Sequence, residues 1–109
     1  MVLEHAKSGQ VITLHSPATT RKSFSAIALA KTEQIELIRL VLPAGKELAE
    51  HHVKGPITVQ CLEGEIAFDA SGGTVQLTAG QMLYLDGGVP HALRAVDDAV
   101  ALVTIVLQH

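Results

Sequence analysis

Two stretches of the chain set glycines and a histidine at fixed intervals around short apolar runs. The first starts at Gly45, passes His51 and His52, alternates through Ile57, Val59 and Cys61, and reaches Gly64. The second starts at Gly80, runs Met82-Leu83-Tyr84-Leu85, turns at Asp86-Gly87-Gly88 and arrives at His91 after Val89-Pro90. Glycine turns a chain sharply without steric penalty, and a strand sends alternate side chains to opposite faces. The pattern therefore calls for short strands joined by tight turns, with a histidine beside each motif's apolar run.

The rest of the chain keeps the same rhythm. Val11-Ile12-Thr13-Leu14 reads as a short strand and Ser16 to Thr20 as a loop. Phe24 to Lys31 alternates Ile27 and Leu29 with Ala26, Ala28 and Ala30. Alanine favours helix, but the period of two predicts a strand. Ile35 to Leu42 is a further strand, stopped by Pro43-Ala44-Gly45, and Lys46 to Pro56 is the longest polar stretch. Strands over Ile57–Leu62, Ile66–Phe68, Thr74–Thr78, Met82–Leu85, His91–Val96 and Ala99–Leu107 follow, with a hairpin signal at Ser71-Gly72-Gly73. Short strands with turn signals every ~8–12 residues predict an all-β sandwich or barrel. A chain of 109 residues is one domain. Within it, residues 1–33 supply N-terminal strands and a loop that complete the barrel or a dimer, and residues 34–109 form the barrel core.

Charge and composition narrow the partners. The net charge is −3 and no run of Lys or Arg exists to neutralise a phosphate backbone, which argues against nucleic acid. No apolar run approaches the ~20 residues of a membrane-spanning helix, and Met1 to His5 lacks a signal-peptide layout. The single cysteine, Cys61, fits a reducing compartment, so a cytoplasmic protein is expected. Hydrophobic residues make up 48% of the chain and charged ones 17%, an apolar excess that one small core hides with difficulty. Ala99 to Leu107 is apolar on both parities, as is much of Ile35 to Leu42. Strands of that kind are buried on both faces, and a homodimer would supply the second cover.

The spacing of the two stretches resembles the two motifs of the cupin family over residues ~34–107. In the first, Gly45, five residues and His51 agree with the family pattern, as does Gly64. Val53 stands where the family has its second histidine, and Ile57 where it has glutamate. In the second, Gly80, Gly88 and His91 agree, while Asp86 replaces a proline and Ala95 an asparagine. The resemblance implies a double-stranded β-helix, the jelly-roll barrel of cupins. It also implies a site inside the barrel, where half of the usual metal ligands are missing here.

Strand parity then predicts an inward set. His51, Val53 and Ile57 share one side, Val59 and Cys61 continue it, and His91, Leu93 and Ala95 face it from the second motif. Val53, Ile57, Val59, Cys61 and Leu93 are thus the expected pocket lining. His51 and His91 are the candidate metal pair, for a divalent transition metal such as Zn, Fe, Ni, Cu or Mn. His52 is a third candidate if a bulge near Gly55-Pro56 rotates it inward. Glu47 and Glu50 are candidate carboxylates, but acidic residues in a polar loop are more often solvated. Cys61 reads as a small core residue, and Asp86 as a turn cap. Three functions compete: a small-molecule-binding cupin with at most a weakly held metal; a mononuclear metal-dependent dioxygenase or isomerase; and a non-catalytic interaction protein with a filled barrel. The missing glutamate favours the first, because an ion without an anionic ligand keeps its full charge in an apolar chamber.

Overall fold

The computed structural model describes residues 5–15 and 23–108. The described residues form strands and loops, with no helix. In chain order the strands are β1 (Ser25–Lys31), β2 (Ile35–Leu42), β3 (Glu47–His51), β4 (Ile57–Glu63), β5 (Glu65–Ala70), β6 (Gly73–Thr78), β7 (Met82–Leu85), β8 (His91–Ala95) and β9 (Ala99–Val106). They build two antiparallel sheets, ordered β1-β2-β9-β4-β7 and β3-β8-β5-β6. The chain stays within one sheet only at the β1–β2 and β5–β6 connections. At every other connection it crosses to the opposite sheet, which makes the architecture a double-stranded β-helix.

The apolar pattern explains the layout. β9 is central, pairing with β2 from Ala99 to Val106 and with β4 from Val100 to Ile105. Its inward residues Ala99, Ala101 and Val103 join Leu40, Leu42, Ile57, Val59 and Cys61 in the core. From the smaller sheet come Ile66, Phe68, Leu77, Leu93 and Ala95. On the outward parity Val41 and Val100 are also buried within the single chain, whereas Leu37 and Leu102 are half-buried. Among the described residues no helix is long and apolar enough to cross a membrane.

Two turns show why the sequence spacing is tight. A single residue, Gly64, carries the chain from β4 to β5. Its φ is 77°, and a Cβ there would lie 2.1 Å from the carbonyl oxygen of Asp98, so only glycine fits. Ser71 and Gly72, with φ of 53° and 78°, make the two-residue loop between β5 and β6. Two consecutive positive φ values are the type I′ geometry that suits strand twist, and the hairpin signal in the sequence is realised.

Of the stretch Phe24 to Lys31, Ser25–Lys31 forms a strand despite its alanines, β1, with Leu29 bulged as the register passes from Ala28↔Ile38 to Ala30↔Leu37. Val11 to Leu14 does not form a strand. Its segment is tied down by isolated bonds, from Ala6 N to the Leu29 carbonyl (2.7 Å) and from Arg39 Nη1 to the Thr13 carbonyl (3.1 Å), with no ladder to extend it. The loop expected at Ser16 to Thr20 lies outside the described residues. Conversely, the polar stretch after Lys46 contains β3, whose only core-facing aliphatic is Leu48. Polarity alone hid that strand.

Candidate functional site

β3 and β8 run antiparallel, with Glu47 opposite Arg94, Leu48 opposite Leu93, and His51 opposite His91. Between the last two pairs β3 has two residues, Ala49 and Glu50, where β8 has only Ala92. This β-bulge places Leu48 and His51 on one face although they are three residues apart. The bulge expected near Gly55-Pro56 is thus found earlier, and it serves His51 rather than His52.

The two histidines meet as expected. Their ring centroids are 4.4 Å apart with planes inclined at 59°. His91 is 6% exposed and its ring stacks on Phe68 at 5.6 Å and 12°, whereas His51 is solvent-accessible. Each Nδ1 hydrogen-bonds a backbone carbonyl two residues earlier, Ala49 for His51 (3.1 Å) and Val89 for His91 (3.0 Å). A carbonyl can only accept, so each neutral ring carries its proton on Nδ1 and presents Nε2 as a lone pair. No described residue hydrogen-bonds either Nε2.

The second-motif loop is held against the first. Gly88 N donates to the Val53 carbonyl (2.8 Å), and a Cβ at Gly87 would lie 2.0 Å from the Lys54 carbonyl oxygen. The positive φ of Gly88, 80°, turns the chain into Val89-Pro90 and then His91.

The other expected residues fall elsewhere. Val53 is half-buried against the core, and Ile57, Val59, Cys61 and Leu93 are buried within it. The Cys61 thiol donates to the carbonyls of Glu63 and Gly64, and burial pushes its pKa up. His52 is exposed and lines a separate groove with Glu36, Val53 and Lys54. Glu47 and Glu50 border hollows shared with Asp69 and Ala92, on the outer side of the smaller sheet. Asp86 accepts from the Tyr84 hydroxyl (2.8 Å), a bond that, as its largest cause, raises the tyrosine pKa.

Space opens beside the pair. A cleft of about 280 Å³ is walled by Phe68 and Ala70 of β5, by Ser71 of the hairpin loop, by Gly73, Thr74 and Val75 of β6, and by Leu83, Tyr84 and Leu85 of β7, so both sheets contribute, while neither histidine is part of its wall. Phe68 is the ring stacked on His91, and Ala70 is the register partner of His91. This cleft was not legible from the motifs, because only its β7 wall lies within one of them and β5 and β6 carry the rest. The one apolar residue of β6 that reaches the core, Leu77, was the available signal.

The geometry joins two glycine-bounded motifs into one barrel with their histidines in contact, and the cupin domain family matches residues 38–107 of the chain. The chain belongs to the cupin family. Solved cupin-fold structures resemble it over nearly its whole length. A conserved protein of unknown function from Streptococcus pyogenes aligns with a TM-score of 0.80 at 21% identity, covering 100% of this chain and 96% of that one. A cupin superfamily protein from Desulfitobacterium hafniense gives 0.80 at 14%, covering 99% and 100%. An RmlC-like cupin from Desulfovibrio desulfuricans gives 0.73 at 28%, covering 94% and 97%. The chain has no significant match among curated proteins. Cupins often hold a metal ion, and the residues here can be tested against that role. Protein zinc sites generally use three or four ligands. Among the described residues no group of three or more His, Cys, Asp or Glu could hold an ion. The two imidazoles do not fit a tightly held ion.

Proposed function

We propose that this cupin binds a small molecule in the cleft beside His51 and His91, with the histidine pair as its polar anchor. The observation that carries the reading is the contact of the two histidines next to Phe68, whose ring stacks on His91 and also walls the cleft. A pocket with apolar walls and a few convergent polar groups is the usual form of a small-molecule site. The cleft argues against the filled-barrel alternative. A dioxygenase or isomerase acting through a resident metal is less well supported, because its ligand set is incomplete. A divalent ion taken up by the pair would complete its shell with water and be held weakly. The test is a fragment screen by NMR on chelator-treated protein with labelled histidines. Ligands should move the imidazole signals of His51 and His91 together and leave His52 in place. A screen whose hits move neither histidine refutes the reading. The proposal extends to a homodimer formed over the half-buried outer face around Leu37 and Leu102, which sedimentation at micromolar concentration tests by mass.

A further inference from the structure

We infer that two copies of this chain join along the open edges of β6 and β7, so that each sheet continues from one copy into the other and the second copy closes the seam between the edges. The inference goes beyond the ligand reading. It uses neither the histidine pair nor the outer face around Leu37 and Leu102.

β6 ends the smaller sheet and β7 ends the larger, and among the described residues each has a single strand neighbour. The two edges lie side by side, because Val75 of β6 and Leu83 of β7 wall the same cleft. Hydrogen-bond parity tells which main-chain groups are left over. Val96 N donates to the Glu65 carbonyl (2.9 Å), so the odd residues of β5 bond toward β8 and the even ones toward β6. The bonded pairs with β6 are then Phe68↔Val75 and Ile66↔Leu77, which turns the N–H and C=O of Thr74 and Gln76 to the open side. Cys61 N donates to the Gln81 carbonyl (2.8 Å), so Leu83 and Leu85 bond β4, and Met82 and Tyr84 turn their main-chain groups to the open side.

The windows Thr74-Val75-Gln76 and Met82-Leu83-Tyr84 are each their own complement under a two-fold rotation. In antiparallel pairing Thr74 bonds Gln76 of the second copy and Met82 bonds Tyr84, while Val75 meets Val75 and Leu83 meets Leu83. Both centres line one cleft, so a single axis normal to the sheets serves both edges. The side chains favour a second copy as the occupant. Val75, Met82 and Tyr84 are 52%, 56% and 61% exposed, and the same residues on the second copy cover them. β6 and β7 contain no Asp, Glu, Lys or Arg, so two chains of net charge −3 meet along uncharged edges. Charges, prolines and bulges keep a sheet edge single, and these strands have no charge, no proline and no register shift against their neighbours.

The test is cysteine cross-linking on the β6 edge, with sedimentation as a second readout. The native Cys61 is buried and stays out of the reaction. Val75→Cys sets two thiols at a non-hydrogen-bonded pair, with Cα atoms about 4.5 Å apart and within the roughly 4.4–6.8 Å that a disulfide spans. Mild oxidation should give a covalent dimer of Val75→Cys and none of Thr78→Cys, which lies on the same strand away from the axis. The cross-link should survive Leu102→Lys, which charges the outer face. In that Leu102→Lys background, Val75→Lys places like charges opposite one another and should weaken self-association by about tenfold or more. Failure of Val75→Cys to cross-link up to millimolar concentration overturns the inference. So does cross-linking by Thr78→Cys in its place, loss of the cross-link with Leu102→Lys, or self-association that Val75→Lys leaves unchanged.

Discussion

His51 and His91 face each other across the β3–β8 pair, ring centroids 4.4 Å apart, because a bulge at Ala49-Glu50 brings His51 onto the face of Leu48. The two residues are in contact but not in equivalent surroundings. One is accessible at the end of β3; the other is buried against Phe68 at the start of β8.

That difference predicts unequal costs of truncation. His91→Ala removes a buried ring stacked on a core aromatic, and should destabilise the fold by about 2–4 kcal/mol in urea titrations. His51→Ala removes an accessible ring and should cost no more than about 1 kcal/mol. Both should abolish ligand-induced shifts at the pair, whereas His52→Ala should leave them intact. If His51→Ala proves as destabilising as His91→Ala, the assigned difference in packing is wrong.

Much of this was legible in the sequence because glycine spacing encodes backbone geometry. The positions of Gly64 and Gly88 demand conformations that other residues resist, and they fixed both turns and the register of the histidines. The inward placement of Ile57, Val59, Cys61, Leu93 and Ala95 followed from period-two parity and is what the core contains. What parity could not supply was the bulge, since an extra residue leaves no compositional mark in the run Glu47-Leu48-Ala49-Glu50. The same polarity concealed β3 as a strand. Val11 to Leu14 failed in the opposite sense: β-prone residues without a ladder partner stay irregular. The cleft depends on β5, β6 and β7 coming together, a long-range outcome that no local spacing records.

The apposition of the two motif loops should be sensitive to one methyl group. A Cβ at Gly87 would sit 2.0 Å from the Lys54 carbonyl oxygen and 3.1 Å from the Gly55 carbonyl carbon, both backbone atoms with little freedom to retreat. Gly87→Ala should therefore cost about 1–3 kcal/mol and weaken ligand binding by separating the loop that follows His51 from the loop that leads to His91. Gly73→Ala, where the added Cβ meets nothing within 4 Å, is the control. Equal stability of the two variants would show that the loops can part without consequence.

Cys61 should behave as a core residue. Its side chain is fully buried, and burial is the main cause that raises its thiol pKa above the ordinary value of 9.0. The reactive species is the thiolate, so a thiol reagent at pH 8 should label native protein far more slowly than urea-unfolded protein. The native rate should rise with pH only in the alkaline range above 9, since the raised pKa delays ionisation. Rapid native labelling at pH 8 would mean that the β4 interior opens readily.

The strongest test of the incomplete ligand set is to complete it. Val53 occupies the position of the second histidine in the cupin motif, is half-buried, and has its backbone fixed by the bond from Gly88 N to its carbonyl. The unmodified protein, with two imidazoles, should bind zinc or nickel weakly and release it to EDTA. Val53→His adds a third nitrogen from a backbone position already anchored beside the second-motif loop. Calorimetry should show affinity for zinc raised by about tenfold or more, about 1.4 kcal/mol per decade, at a stability cost on the order of 1 kcal/mol for placing a polar ring in a partly buried position. The gain should vanish when His91→Ala is added, because the new ligand works only as part of the set. A Val53→His variant that folds yet binds zinc no better than the parent would show that residue 53 does not reach the pair, and that the loss of the family's metal site here goes beyond the missing side chains.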